Sequence, residues 1–236
     1  MRPFILITGE EGFDPAFGTA NFILNRKYSG YVSAGGGLPF MPEDIRKSKQ
    51  YARFADGLIL THGPDIHRGR YGRYYTGFRE LKSVCSTRDD FEFTLFREFS
   101  DAKKPVLGIG RGMQIINAAS GGTLHLPDDR AEVRQPALSE ETQIRTEPHT
   151  GINSALGDKL SVNLLDYQKV ERLGLNLRPA AFTGSKTVEA LEHEFLPISG
   201  IGWNPLNEKY AERNHSLFEY FIQLCKGDEK KWNRSF

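Results

Sequence analysis

The chain has 236 residues, 39% of them hydrophobic, which suits one α/β domain with a well-buried core, or at most two small ones. Lys and Arg (31) nearly balance Asp and Glu (30), so no broad field points to nucleic acid or to a membrane surface. Cys85 and Cys225 are the only cysteines, too few for a disulfide framework, and a reducing, cytoplasmic setting fits them. No apolar run approaches the length needed to cross a bilayer.

Along the chain, Phe4-Ile5-Leu6-Ile7-Thr8 is too short for the core of a signal peptide and runs into Gly9-Glu10-Glu11-Gly12, so it reads as a first buried strand. Pro42-Glu43-Asp44 opens a predicted helix over roughly 43–55, with its acidic residues at the positive end of the dipole. Gly57-Leu58-Ile59-Leu60-Thr61 is the next strand and ends in the polar turn His62-Gly63-Pro64-Asp65. Residues 66–86, rich in Arg, Tyr and Gly, read as a long loop or lid. Thr87-Arg88-Asp89-Asp90 caps a predicted helix to about Ala102 whose apolar face carries Phe91, Leu95 and Phe96. Pro105-Val106-Leu107 and residues 113–119 form another strand and helix. Beyond Gly121-Gly122 the pattern changes to short strands near 144–149, 159–164, 178–182, 187–192 and 197–203. Asn214 then caps a final helix through Cys225. The division is one domain over 1–226 and a charged, frayed tail over 227–236.

The strand-to-helix corner Gly108-Ile109-Gly110-Arg111-Gly112 has the shape of a nucleophile elbow, with glycine at its centre. Such a corner costs a non-glycine residue about 1–3 kcal/mol in backbone strain, whereas glycine adopts it readily. Glycine also has no atom with which to attack. The corner lacks the dinucleotide-binding spacing, although its backbone N–H groups and Arg111 offer a nest for a carboxylate or phosphate.

The chain resembles the class I glutamine amidotransferase-like superfamily, in its branch of gamma-glutamyl-gamma-aminobutyrate hydrolases, which are cysteine hydrolases. The resemblance is carried by Tyr31-Val32 with Ala34-Gly35-Gly36 and Pro39, by Asp56-Gly57-Leu58-Ile59-Leu60-Thr61 with Gly63 and Asp65, and by Tyr71-Gly72. It continues through Arg88-Asp89-Asp90-Phe91-Glu92, Pro105-Val106-Leu107-Gly108-Ile109, Arg111-Gly112-Met113-Gln114, Asn117, Gly121-Gly122-Thr123-Leu124-His125, Val188-Glu189-Ala190 and Gly200-Ile201-Gly202-Trp203-Asn204-Pro205. It implies a three-layer, flavodoxin-like α/β fold with a mostly parallel central sheet flanked by helices. It also implies a triad whose cysteine, histidine and glutamate positions are occupied here by Gly110, Asn204 and Leu206. The family's oxyanion glycine pair reads His62-Gly63, and its paired histidines before a glutamine read Asp166-Tyr167-Gln168.

A cysteine hydrolase needs a thiolate, a base and a group to orient that base. Glycine, asparagine and leucine supply none of these, so the resemblance implies a pseudoenzyme that binds, regulates or assembles. The alternative is an enzyme with a new nucleophile, acid or base drawn from Cys85, His62, Asp166 and Tyr167. The expected site is a polar, hydrated cavity beside Gly110 with Arg111 near its floor, lined also by His62, Gly63, Asp65, Asp166, Tyr167 and Asn204. It would take a small carboxylate, an amide or a gamma-glutamyl-like group. A protein partner or a homodimer fits the same reading. No cofactor is expected, and His62, Asp65 and His67 do not follow a zinc spacing. Arg88, Asp89 and Glu92 read as a pocket-facing group or, in preference, as an ion-paired helix start. Arg68, Arg70, Arg73 and Arg79, interleaved with Tyr71, Tyr74, Tyr75 and Phe78, resemble a nucleic-acid or partner surface, and with net charge near zero a solvated lid over the ligand pocket explains them as well.

Overall fold

A computed structural model describes residues 1–42, 44–71, 84–125, 141–165 and 168–227. The apolar run near the N-terminus forms strand β1 (Phe4–Ile7), and a hairpin follows, β2 (Glu10–Asp14) and β3 (Thr19–Ile23). Helix α1 (Arg26–Ala34) leads to β4 (Leu38–Phe40), then α2 (Ser48–Phe54) and β5 (Gly57–Leu60). Helix α3 (Ser86–Asp101), β6 (Val106–Ile109) and α4 (Arg111–Ala119) complete the first half. The second half holds β7 (Thr123–His125), β8 (Thr142–Thr146), α5 (Gly151–Leu156), β9 (Lys159–Val162), β10 (Lys169–Arg172), β11 (Leu177–Thr183), β12 (Val188–His193), β13 (Ile198–Ile201) and α6 (Ala211–Cys225).

The central sheet has the order β4-β1-β5-β6-β13-β12-β11-β8-β9. From β4 to β13 every pairing is parallel, and from β13 to β9 every pairing is antiparallel. By direction, β12 and β8 therefore run against all the other strands, so the sheet is mostly parallel as the sequence implied. Side chains alternate across it as strand geometry requires. Ile5, Ile7, Ile59, Leu107 and Ile109 join one buried cluster with Val32 of α1, Ile152 of α5 and Phe218, Phe221 and Ile222 of α6. Leu6, Leu58, Leu60 and Val106 join the other, with Ala52 of α2, Leu95 and Phe99 of α3, and Ile115 and Ile116 of α4. Two helical layers thus enclose the sheet, and the buried parallel strands read as continuous apolar runs for that reason.

Several boundaries differ from the sequence reading. The helix placed over 43–55 is a 3₁₀ turn at Ile45–Lys47 followed by α2, with Asp44 accepting from the Arg46 amide at 3.0 Å. Helix α3 starts at Ser86 after Cys85, because Arg88 and Asp89 are needed inside its first turns for buried ion pairs. Asn214 does not cap the final helix. It lies buried in α6 and donates to the Asn207 carbonyl at 3.2 Å. The β2–β3 hairpin, α1, β4, α5, β7 and β10 add to what the sequence separated. Of the expected lid, Ile66 to Tyr71 and Val84 to Ser86 are described, whereas Gly72, Arg73, Tyr74, Tyr75, Phe78 and Arg79 lie outside the described residues, as does 228–236 of the tail.

Candidate functional site

The order of the sheet places a topological switch between β1 and β5: the chain leaves β1 through α1 toward β4 on one side, while β5 and β6 extend the sheet on the other. In open α/β sheets ligands collect at the carboxyl ends of strands flanking such a switch. Here those ends carry Thr8-Gly9-Glu10 and Thr61-His62-Gly63, stitched together by the Thr61 amide to Thr8 Oγ1 (3.1 Å) and Thr61 Oγ1 to the Thr8 carbonyl (2.8 Å). A cavity of about 450 Å³ opens at this edge, lined by Glu10, Glu11, His62, Gly63, Pro64, Cys85 and Arg88.

His62 Nδ1 lies 2.7 Å from the Tyr28 hydroxyl. Burial pushes the imidazole below its ordinary value, with Arg88 reinforcing the shift and Glu10 opposing it, so the ring favours its neutral form. Cys85 Sγ donates weakly to Glu11 Oε2 at 3.7 Å. His67 turns away from this cluster: its ring accepts from the Gly69 amide at 3.2 Å and its own amide donates to Asp89 Oδ2 at 3.0 Å. Asp65 is half-buried in the same loop. Among the described residues no group of three or more His, Cys, Asp or Glu side chains could hold a metal ion.

Beneath the loop lies a four-charge cluster. Arg111, Asp89 and Glu92 are all essentially inaccessible, and the Arg111 guanidinium binds both carboxylates. Glu92 also accepts from Arg88 Nε at 2.9 Å, while Arg88 Nη2 donates to the His62 carbonyl at 3.0 Å and to Thr61 Oγ1 at 3.1 Å. A Cβ at Gly63 would collide with Arg88 Nη1. Burial alone would raise the Glu92 carboxyl, but Arg111 and Arg88 hold it below the usual carboxylate range. These pairs correct the expectation for Arg111. It is not a ligand-facing cation at a cavity floor but an internal counter-ion, and the arginine at the described cavity is Arg88. Asp89 and Glu92 are ion-paired inside the protein, while Arg88 both pairs with Glu92 and faces the cavity, where its Nη1 lies 3.6 Å from Glu10.

Behind β6 the elbow is present. Gly110 has φ 56° and ψ −111°, its amide donates to the Ile201 carbonyl at 2.7 Å, and its carbonyl accepts from Met113 at 2.9 Å. Its neighbours make the corner tight, since a Cβ on Gly112 would strike the Leu60 carbonyl. On the adjoining β13 loop, Asn204 Oδ1 accepts from the Leu206 amide at 2.9 Å, and its own amide donates to the Asn163 carbonyl at 2.8 Å. Leu206 is 6% exposed and belongs to the apolar cluster of α1 and α6. Asp166 and Tyr167 lie outside the described residues. The structure thus brings Gly110, Asn204 and Leu206 to the β6 and β13 ends of one sheet edge, and His62 and Gly63 to the neighbouring β5 end.

Sequence reasoning missed Glu10, Glu11 and Tyr28 as site residues. A Glu-Glu pair directly after the first strand was the available signal, because the carboxyl end of β1 borders the switch. Tyr28 gave none, since its contact with His62 needs the α1 register.

The Peptidase C26 family model matches residues 4–205, which spans every strand of the central sheet and the elbow. The chain belongs to the Peptidase C26 family. It is 29% identical over 202 residues to the glutamine amidotransferase-like protein YvdE of Lactococcus lactis, covering 81% of this chain and 84% of that one. It is 26% identical over 174 residues to a glutamine-hydrolyzing GMP synthase subunit of Methanospirillum hungatei, covering 74% and 76%. A crystal structure of a GMP synthase subunit protein from Thermoplasma acidophilum superposes with a TM-score of 0.68 over 98% of each chain at 16% identity, a likeness of fold. Among the described residues no helix is long and apolar enough to cross a membrane.

Proposed function

We propose that this Peptidase C26 member is a catalytically degenerate relative of the gamma-glutamyl-gamma-aminobutyrate hydrolases that works as a binding, regulatory or complex-forming subunit in the cytoplasm. The observation that carries the reading is Gly110, which occupies the elbow conformation with no side chain. Acyl transfer in this fold needs a nucleophile at that corner, and loss of a triad leaves about 10³–10⁴-fold of acceleration from binding and oxyanion contacts alone. Asn204 supports the reading because its side chain is spent on a turn, and Leu206 because it packs in an apolar cluster. Some relatives are named as subunits of a glutamine-hydrolyzing synthase; here the subunit character would persist without hydrolysis. The ligand proposed for the cavity at His62 and Gly63 is an amide or gamma-glutamyl-like group rather than a free carboxylate, because Glu10 and Glu11 line it and Arg88 is already paired.

One observation favours a second reading. Cys85 and His62 line the same cavity, so a relocated thiol could act there with a neutral imidazole. The test is ammonia or amine release from glutamine and gamma-glutamyl amides. No turnover above the buffer blank is expected from the natural sequence, and Gly110→Cys with Asn204→His and Leu206→Glu should gain a thiol alkylated faster than a free one. Turnover by the natural sequence that Cys85→Ser abolishes would overturn the degenerate reading in favour of the second.

A further inference from the structure

The β2–β3 hairpin stands at the rim of the cavity and carries an unusual surface. Among the described residues its strands pair only with each other, and every residue of β3 is exposed. Phe13, Phe17, Phe22 and Ile23 are 69%, 80%, 39% and 57% exposed. The register sets Phe13 opposite Ala20 and Glu11 opposite Phe22, so Phe13, Ala20, Phe22 and Glu11 share one face. Glu10, Asp14 and Ile23 lie on the other, with Glu10 3.6 Å from Arg88, and Phe17 occupies the connecting turn. Isolated two-stranded hairpins are marginally stable in water, and clustered exposed aromatic side chains mark sites where another surface docks. Every charged residue from Gly9 to Asn25 is acidic: Glu10, Glu11 and Asp14.

We propose that this hairpin is a docking surface for a different protein whose contact face presents Lys or Arg side chains around an apolar pocket. Charge chooses the occupant. A second copy of the chain, docking by the same phenylalanine face, would set Glu11 against its own counterpart and bring Glu10 and Asp14 near theirs, and like charges crowded together penalise that pairing. A basic partner gains steering from the same carboxylates and burial from the phenylalanines, which act as anchors. The proposal rests on the reading above for one premise, that a subunit without hydrolysis works through a partner.

The test uses the full chain and two synthetic amphipathic helical peptides that share a leucine face, one with lysines and the other with glutamates opposite. Saturable binding of the lysine peptide is expected, weakened about tenfold or more by Phe13→Ser with Phe17→Ser and Phe22→Ser. Glu11→Gln, which keeps an acceptor oxygen for Cys85 Sγ, and added salt should each weaken it further. The glutamate peptide should not bind, and light scattering should give a monomer. Equal binding by the triple variant, equal binding of the glutamate peptide, or a dimer that the triple variant dissolves would overturn the proposal. If the triple variant melts early, a benzoylphenylalanine photocrosslinker at position 17 of the otherwise natural chain decides it by whether the lysine peptide is captured. Failure of lysine-peptide binding with an inert elbow refutes the docking surface alone, whereas glutamine hydrolysis refutes the degenerate reading and leaves the hairpin result standing.

Discussion

Arg111→Met removes the cation that two buried carboxylates share. Asp89 and Glu92 are each 0% exposed. In the variant Asp89 keeps the His67 amide at 3.0 Å and Glu92 keeps Arg88 Nε at 2.9 Å, but the pair loses one full positive charge in a site closed to water. Breaking a buried ion pair from one side costs about 3–5 kcal/mol, a large fraction of the roughly 5–15 kcal/mol that holds a domain folded. In a chain of this length each kcal/mol moves the melting midpoint by roughly 2–4 °C, so calorimetry at neutral pH should show a fall of roughly 6–20 °C. The pH dependence has a definite sign. Arg111 and Arg88 hold the folded Glu92 value below its unfolded one, so its contribution is full above the ordinary carboxylate range and is lost as pH falls through the folded value. The gap between the natural chain and the variant should therefore narrow in acid. A loss below about 1 kcal/mol at neutral pH would refute the internal counter-ion role, because a salt bridge worth so little behaves as an exposed one.

Gly110→Ala should cost about 1–3 kcal/mol in urea unfolding, because φ 56° and ψ −111° lie where side chains are strained; unchanged stability would mean that the corner relaxes freely. His62→Gln should flatten the dependence of the melting midpoint on pH below about 6.5, since burial depresses the folded imidazole value and its contribution is lost as pH falls through that value. His193, also shifted down by burial, gives the same sign and remains in the variant, so a flattened slope rather than a vanished one is expected, and an unchanged slope would contradict the burial of His62.

The parallel half of the sheet was legible because its strands are buried on both faces, which leaves short apolar runs such as Phe4–Ile7 and Gly57–Leu60 bounded by glycine and polar turns. The hairpin was not, because Thr19–Ile23 is exposed throughout and the half-buried face of Glu10–Asp14 carries Glu10, Gly12 and Asp14 while Phe13 points outward, the reverse of an apolar-in alternation. Helix α1 was hidden similarly: of its residues only Tyr28 and Val32 are buried, one turn apart, too sparse a stripe to announce a helix. Within the site, Gly110 and the His62 turn could be read from local sequence, since each sits at the end of an apolar strand. The destination of Arg111 could not. A guanidinium beside a glycine-rich helix start is equally suited to a bound anion, and only the packing of α3 against α4 reveals that Asp89 and Glu92 already supply the counter-charge.

The same packing accounts for an elbow that stands with glycine at its centre. The close approach of β5 to α4 depends on Gly112, where a Cβ would meet the Leu60 carbonyl, and that of β6 on Gly108, where one would meet the Gly112 backbone. Neither contact involves a side chain at position 110. Meanwhile Arg88 ties the His62 carbonyl to Glu92, and Glu92 ties α3 to Arg111 in the first turn of α4, so the β5 loop and the elbow are fixed to each other through buried charge. Such a frame is set by glycine spacing and by counter-ions within α3 and α4, and nothing in it depends on the side chain at position 110. Preservation of the corner is therefore evidence of the fold, while the chemistry at the corner must be judged from residue 110 and the side chains that face it.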